Sequence, residues 1–213
     1  MRQIFSNIFE QSGKLYLPSE KTVFSERLER IDGKTYREWD ARRSKLAAAI
    51  AKGAKISIEQ TSKMLYLGAA HGYTISFISE ILAQGKIYAV EFAPRVAREL
   101  IMLAEKRKNI LPIVADANQP NSYYHILEPV DIVFQDIAQR NQVEIFEKNC
   151  RLFLKKGGVA MLALKARSID ASEQPQKIFT DVKEELSREF KILDYRNLNP
   201  LQKDHAFFIC EKR

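Results

Sequence analysis

A short loop and two acidic side chains in the middle of the sequence have the types and spacing of a nucleoside-binding site. The loop GAAHGYT, residues 68–74, follows the apolar run KMLYL, and Glu91 and Asp116 each close one of the next two apolar runs. A carboxylate at a strand end can accept hydrogen bonds from ribose hydroxyls, and a second one can accept a bond from an exocyclic adenine amine. Phe92, beside Glu91, offers an aromatic ring on which a base can stack.

The same loop lacks the groups that usually bind phosphate. Ala70 and Tyr73 occupy the later glycine positions of a G-x-G-x-x-G fingerprint, the loop contains no Lys or Arg, and there is no G-K-[ST] motif. Anionic NAD or ATP is therefore poorly matched, whereas a cationic adenosyl ligand, S-adenosylmethionine (SAM), suits the carboxylates. Gly68 and Gly72 permit a close backbone approach. Taken alone, the loop is also compatible with a plain tight turn.

Three ionisable residues at the ends of later apolar runs could handle a proton during group transfer. Asp136 follows the run 130–135, Lys165 follows four apolar residues, and His205 opens the final run. A lysine in such a run is unusual, and burial beside a second ammonium group favours the neutral amine that can accept a proton. These residues are candidates for acid–base chemistry at the sheet edge that would hold the cofactor.

The elements that would position these residues alternate between strand and helix from residue 63 onward. The apolar patterns predict strands at 63–67, 86–92, 110–117, 130–138 and 159–166, and helices at 75–83, 94–107, 142–158 and 175–189. The segments 190–198 and 204–213 could form a closing strand pair. This alternation predicts an α/β fold whose parallel sheet is covered on both faces.

Residues 1–40 follow a different pattern. Short alternating segments (GKLYL, TVFSER and KTYREW) lie between turn signals at Ser12-Gly13, Pro18-Ser19 and Asp32-Gly33. They predict a small N-terminal antiparallel β-domain over 1–40, built from two or more hairpins, ahead of a main domain over 41–213. The next segment, DARRSKLAAAIAKG, predicts a helix with Asp40 as its N-cap and Gly53 as its stop.

Composition narrows the possible classes of protein. The 213 residues are 46% hydrophobic, which excludes general disorder, and no apolar run is long enough to span a membrane. The first residues lack the features of a secretory signal, so we expect a cytoplasmic protein whose Cys150 and Cys210 are buried thiols. We also expect no metal site at these cysteines. A net charge of +7 favours a polyanionic partner such as nucleic acid.

Six segments, in order along nearly the whole chain, resemble the fibrillarin family. They are RRSKLAAAI (42–50), KMLYLGAAHGYT (63–74), IYAVEFAPR (87–95), DIVFQDIAQ (131–139), LALKARSID (162–170) and KDHAFF (203–208). The resemblance implies a SAM-dependent methyltransferase with a Rossmann-like, seven-stranded sheet behind the small β-domain. It also implies 2′-O-methylation of ribose in pre-rRNA, and possibly tRNA, by the catalytic subunit of a box C/D guide ribonucleoprotein. Since the chain lacks a Gly/Arg-rich region, it is similar to the archaeal form.

The resemblance also assigns roles to residues and partners. It implies a catalytic tetrad of Lys45, Asp136, Lys165 and His205, in which we take Lys165 as the proton acceptor. Together with the loop, it predicts a SAM site formed by Gly68, Ala69, Gly72, Tyr73, Thr74, Glu91, Phe92, Asp116, Ala117, Asp136, Ile137, Ala138 and Gln139. His71 and Tyr73 stand where many members have Ser and Thr. The implied partners are a Nop-family scaffold protein, a box C/D guide RNA with its target RNA, and a kink-turn-binding protein.

Two other functions remain open at this point. One is a SAM-dependent methyltransferase of a small molecule or a protein, which would leave the +7 charge and two site lysines without a role. The other is a non-catalytic RNA-binding subunit that keeps the fold. Arg42 and Arg43 could contact RNA phosphates or simply form a solvated face, and we expect His125 to be structural.

Overall fold

The computed structural model describes residues 1–5 and 7–213, and its first part is an antiparallel sheet. The strand order is β1-β2-β3-β5-β4. Ser12-Gly13 and Asp32-Gly33 connect tight hairpins, and all four residues have positive φ, as type I′ turns require. The strands are β1 (Arg2–Phe5), β2 (Ile8–Gln11), β3 (Lys14–Pro18), β4 (Leu28–Ile31) and β5 (Lys34–Trp39).

One strand prediction in this sheet is wrong. Residues 22–27, predicted as a strand from TVFSER, have no regular structure, and the strand begins at Leu28 instead. The reason is Glu26, whose carboxylate accepts hydrogen bonds of 2.8 Å from the backbone N–H groups of Val23 and Phe24. These bonds curl the segment back on itself, so its backbone cannot extend into a ladder.

The second sheet has seven strands and gives the molecule its α/β fold, as predicted. Its order is β11-β12-β10-β9-β6-β7-β8. The strands are β6 (Lys63–Leu67), β7 (Lys86–Glu91), β8 (Ile110–Val114), β9 (Val130–Gln135), β10 (Leu154–Lys165), β11 (Phe190–Asn197) and β12 (His205–Lys212). Strands β6 to β10 are parallel, and β12 runs antiparallel between β10 and β11.

Helices cover both faces of this sheet, so apolar side chains are buried on both sides. The helices are α1 (Lys45–Ala51), α2 (Tyr73–Ile81), α3 (Pro94–Lys106), α4 (Gln142–Phe153), α5 (Ala166–Ile169) and α6 (Pro175–Leu186), with a 3₁₀ turn at Pro120–Ile126. The core on the α1–α3 face continues into the five-stranded sheet, where Trp39 stacks on Phe77 at 4.9 Å between ring centroids. The core on the other face is built with α4 and α6.

Two predicted helix boundaries differ from the structure by four residues or more. The first helix begins at Lys45 rather than after Asp40, because the hydroxyl of Ser44 accepts the Ala47 N–H and caps it. Asp40 instead accepts the N–H of Arg42 within a turn. The fourth long helix ends at Phe153, and the chain continues as β10 rather than as helix to Gly158. The predicted stop at Gly53 is confirmed by its positive φ of 76°.

A buried arginine joins the five-stranded sheet to helix α2. The Arg37 side chain is fully buried, and its guanidinium lies 3.3 Å from both Glu26 Oε1 and Glu80 Oε2. The guanidinium also lies 3.8 Å from the centre of the Phe77 ring. Burial lowers the pKa of Arg37, but the two carboxylates keep it charged. Glu80 and Phe77 belong to α2, so Arg37 ties β5 to the helix that follows the loop 68–74.

Three features are absent among the described residues: a disulfide, a helix able to span a membrane and a cluster of metal-binding side chains. Cys150 and Cys210 are buried and form no disulfide, as expected, and burial raises the pKa of both thiols. Among residues 1–5 and 7–213, no helix is both long and apolar enough to cross a bilayer. The same residues contain no cluster of His, Cys, Asp or Glu suited to a metal ion.

Candidate active site

The loop after β6 has a backbone that only glycine allows at its first position. Gly68 has φ of +79°, and a Cβ there would lie 2.6 Å from the carbonyl oxygen of Asp136. The N–H groups of Gly68 and Ala69 both donate to the Val90 carbonyl at 3.0 Å. Gly72, with φ of +89°, then caps α2 in the left-handed conformation. The loop therefore packs closely against the ends of both β7 and β9.

The predicted carboxylates are held by backbone N–H groups. Glu91 at the end of β7 accepts one bond from Ala70 and one from Ala93, both at 2.8 Å. Asp116, two residues beyond β8, accepts the Asn118 N–H at 2.8 Å. These bonds fix the carboxylates yet leave lone pairs on their oxygens for hydroxyl or amine donors. They support the interpretation of these residues as ligand-binding groups.

A cleft lies between these carboxylates and has an exposed aromatic ring beside them. The Phe92 side chain at its mouth is 65% exposed, which is unusual for a large apolar ring. Its other lining residues are three polar ones among apolar residues and a glycine: Gly68, Val90, Glu91, Ala115, Asp116, Ala117, Ile137, Gln139 and Ile145. The structure therefore places most of the predicted cofactor residues around one cleft, at the carboxyl ends of β6 to β9, where α/β sheets bind ligands.

Two predicted cofactor residues have side chains that contact α1 and its approach instead. The Tyr73 hydroxyl accepts the Asp40 N–H at 3.2 Å, and the Arg43 guanidinium lies 4.1 Å from the Tyr73 ring centre. Burial raises the pKa of Tyr73 to about 12. Thr74 is buried and donates its hydroxyl to Ser44 at 3.0 Å. The side chains of these two residues thus connect the loop 68–74 to α1 and the segment before it.

The neighbouring loop residues also differ in exposure. His71 is exposed, and its Nδ1 lies 3.2 Å from a Glu99 carboxylate oxygen on α3. Ala138 is exposed, while Ile137 is half-buried at the cleft. His71 and Tyr73, the two departures from the family pattern, thus contact other parts of the protein. Neither brings a charge into the cleft.

The four residues of the predicted tetrad come together beside the cleft. Lys45 is the first residue of α1, and its Nζ lies 2.8 Å from Asp136 Oδ1. Lys165, the last residue of β10, pairs across the sheet with His205, the first residue of β12. The charges of Lys45, Asp136 and Lys165 all act on His205. Two lysine side chains, a carboxylate and an imidazole therefore share one site at the edge of the sheet.

The tautomer of His205 follows from its hydrogen bond. Nδ1 lies 2.6 Å from the carbonyl oxygen of Lys203. A carbonyl oxygen can only accept, so Nδ1 carries the hydrogen and Nε2 is left as an acceptor in the neutral ring. Burial lowers the pKa of His205, with Lys45 and Lys165 acting in the same direction. At neutral pH the site holds a neutral imidazole.

His205 should therefore make the protein less stable in mild acid. Its pKa is lower in the folded than in the unfolded protein, so the unfolded state binds more protons as the pH falls through about 6.5. We expect the free energy of unfolding to fall between pH 7 and pH 5.5, and to fall less in His205→Gln. Urea titrations at both pH values measure this, with the exposed His125→Gln as control. The prediction would be contradicted if the free energy of unfolding fell by the same amount between the two pH values in the His205→Gln variant and in the wild type.

Sequence reasoning missed two buried polar residues that support the site. Ser44 joins the cap of α1 to Thr74, and the Gln142 side chain bonds to the backbone of Lys165. Both look like ordinary polar residues at the start of a helix. A hydroxyl side chain three residues before the alanine run 47–49 was a signal for Ser44 as the cap, whereas nothing in the sequence pattern singled out Gln142.

The fold and the acidic cleft define a class, the SAM-dependent methyltransferases with a Rossmann-like sheet. A SAM-dependent methyltransferase from Aquifex aeolicus has the same fold, with a TM-score of 0.56 at 12% identity over 74% of this chain and 85% of that one. The family model for fibrillarin matches residues 5–213. This chain belongs to the fibrillarin family.

Individual relatives extend over almost the full length. The fibrillarin-like rRNA/tRNA 2′-O-methyltransferase of Methanosarcina mazei is 47% identical over 96% of this chain and 95% of its own. The fibrillarin of a solved fibrillarin/Nop5p complex is similar with a TM-score of 0.91 and 38% identity, covering 100% of both chains. Aeropyrum pernix fibrillarin, solved with natively bound SAM, gives a TM-score of 0.80 and 37% identity over 99% of this chain and 100% of that one.

Proposed function

We propose that this protein transfers the methyl group of SAM to the 2′-hydroxyl of a ribose in rRNA or tRNA. The observation that carries the proposal is the group of four ionisable residues beside the acidic cleft, with Lys45 held 2.8 Å from Asp136 and Lys165 paired with His205. The name of the Methanosarcina mazei relative, an rRNA/tRNA 2′-O-methyltransferase, supports the reaction and the substrate class.

The residues at the cleft fit SAM. The cleft presents the carboxylates of Glu91 and Asp116 and contains no Lys or Arg, which suits a cation with an adenosine moiety. Glu91 would bind the ribose hydroxyls, Asp116 the adenine amine, and Phe92 would stack on the ring. When bound, SAM supplies a methyl group on a sulfonium leaving group. The bound SAM of Aeropyrum pernix fibrillarin supports this assignment.

The tetrad would orient the hydroxyl and remove its proton. Lys165, in its neutral amine form, accepts the proton as the ribose oxygen attacks, and Asp136 orients the two lysine side chains beside the methyl donor. Lys45, fixed by its bond to Asp136, stabilises negative charge on the ribose oxygen. Neutral His205 offers Nε2 as an acceptor within the same network. The protein thus supplies mainly position and proton handling, because the leaving group is already good.

Removal of either cleft carboxylate should weaken SAM binding. We expect Asp116→Ala and Glu91→Ala each to lose a charge-assisted hydrogen bond of roughly 1.5–3 kcal/mol, about tenfold or more in affinity. Calorimetric titration of SAM into the protein without RNA measures this, and Glu99→Ala is a control outside the cleft. Unchanged affinity in both variants would remove the cleft from consideration as the cofactor site.

The proposed setting is a box C/D guide ribonucleoprotein. The solved fibrillarin/Nop5p complex supports a Nop-family scaffold as partner, and the +7 charge is compatible with RNA nearby. The guide RNA would choose the target ribose, and a kink-turn-binding protein would complete the particle. We further propose that the protein works in the cytoplasm of an archaeal cell.

Transfer of radiolabelled methyl groups to a guide-matched RNA tests this function. We expect methylation of the one ribose that the guide specifies in the reconstituted particle, and far slower transfer by the protein alone at equal concentrations. The reason is tethering, since the particle raises the effective concentration of the ribose. Transfer to a small molecule or to protein instead would overturn the RNA assignment. A specific ribose methylated by the isolated protein at the particle's rate would overturn the dependence on scaffold and guide.

A further inference from the structure

The backbone of Lys165 lies beyond the part of β10 that its parallel neighbour reaches. The last residue of β9 paired with β10 is Gln135, opposite Leu162, and Lys165 comes three residues later. On its other side, β12 places His205 opposite Lys165, but the His205 N–H donates to Gln202 and its carbonyl accepts from Leu198. Among residues 1–5 and 7–213, therefore, no strand pairs with the Lys165 N–H and C=O on the β9 side.

The Gln142 side chain makes the hydrogen bonds to Lys165 that a neighbouring strand would otherwise make. Its Oε1 accepts the Lys165 N–H at 2.9 Å, and its Nε2 donates to the Lys165 carbonyl at 3.1 Å. A carboxamide has the same donor and acceptor as a peptide group, so it extends the ladder by one pair. Gln142 is fully buried at the start of α4, where water cannot replace these bonds.

The same amide reaches the loop after β9. Gln142 Nε2 also donates to the Gln139 carbonyl at 2.9 Å, and Gln135 Nε2 donates to the Gln142 carbonyl at 2.6 Å. Gln139 lines the acidic cleft, and Asp136 lies three residues before it. One side chain thus connects the backbone of Lys165 with the loop that carries Asp136.

We propose that Gln142 is a positioning residue for methyl transfer, which fixes Lys165 relative to the loop 136–139 through its carboxamide. This inference rests on the proposed function. Gln142 does not line the acidic cleft, so it would act through the backbones of Lys165 and Gln139. Because transfer depends on alignment of the ribose oxygen, a displacement of about 1 Å at Lys165 can slow the step by about 100-fold.

The experiment combines kinetics with amide hydrogen exchange on the full chain. Gln142→Met keeps the volume but removes all the amide bonds, and Gln142→Asn keeps an amide that is too short to reach. We expect the single-turnover rate in the reconstituted particle to fall about tenfold or more in both, with SAM affinity within about threefold of wild type. The Lys165 amide should exchange faster with solvent, while the Leu162 amide does not.

Asn109→Leu provides a matched control for lost stability. Asn109 also donates its amide to two carbonyls, of Ser79 and Leu82 at 2.8 Å, but it lies at the opposite end of the sheet. We expect this variant to lower the melting temperature and to keep the rate per folded molecule. An equal loss of rate in Asn109→Leu, or a rate within threefold of wild type in both Gln142 variants, would overturn the positioning role.

The readouts separate this inference from the proposed function. If the wild-type particle transfers no methyl group to RNA, the proposed function fails. If the Lys165 amide of the wild type exchanges as fast as an exposed amide, the Gln142 side chain does not hold the Lys165 backbone. The inference then fails, whichever reaction the protein catalyses.

Discussion

Replacement of Lys165 by methionine is expected to slow methyl transfer by about 10²–10⁴-fold, the range for loss of a general base. The fold should persist, because the methionine side chain can pack along the aliphatic part of the partly buried lysine. SAM affinity should change little, since Lys165 is not among the residues that line the acidic cleft. Single-turnover transfer in the reconstituted particle at saturating SAM measures the effect.

Lys165→Arg shows whether Lys165 acts as a base or through its positive charge, and Lys155→Met is the matched control. Lys165→Arg keeps the positive charge but cannot be deprotonated, so it should be nearly as slow as Lys165→Met if Lys165 accepts the proton. Lys155 lies on the same strand at its opposite end, where its Nζ pairs with Asp131 at 2.6 Å, and Lys155→Met should transfer normally. A near-normal rate for Lys165→Met would remove Lys165 from the role of base, and full activity of Lys165→Arg would leave it an electrostatic role only.

Replacement of Arg37 by methionine is expected to destabilise the protein by about 3–5 kcal/mol, the range for breaking a buried ion pair by removing one partner. Glu26 would be left buried without its cation, and Glu80 would keep only Arg107. The contact with the Phe77 ring would also lose its charge. Chemical denaturation followed by fluorescence of Trp39, which stacks on Phe77, reports on this region directly.

Arg27→Met is the matched control for this variant. The Arg27 side chain is 69% exposed, and its guanidinium lies 3.2 Å from Glu29 on the surface. A surface pair of this kind contributes about 0–1 kcal/mol, so the control should stay close to wild type. A loss below 1 kcal/mol in Arg37→Met would mean that the two carboxylates find other partners.

The sequence was most informative where periodicity and burial agree. The apolar run at Lys63–Leu67 coincides with β6, and the helix predicted at 94–107 coincides with α3 to within one residue. In both cases the hydrophobic pattern is also the pattern of core packing. The cleft carboxylates could be found because parallel strands meet at one edge, so that strand-end residues such as Glu91 become neighbours without any long-range information.

Residues whose partners are far away along the chain could not be predicted from local pattern. Glu26 breaks an alternating segment because it caps two N–H groups and pairs with Arg37. Thr74 matches a cofactor motif, but its side chain bonds to Ser44, thirty residues earlier. In each case a tertiary hydrogen bond determines where the side chain points, and neither periodicity nor composition records it.

The order of the last strands has a consequence for synthesis on the ribosome. The acidic cleft is built from residues 68–145, whereas His205 comes with β12, which lies between β10 and β11 in the sheet. Strand β11 is translated before β12, and β12 is the one described strand with which it pairs. Strand β11 can therefore join the sheet only after β12 has been made. A nascent chain can therefore form its acidic cleft first, and the insertion of β12 completes the sheet and the predicted tetrad in a single step.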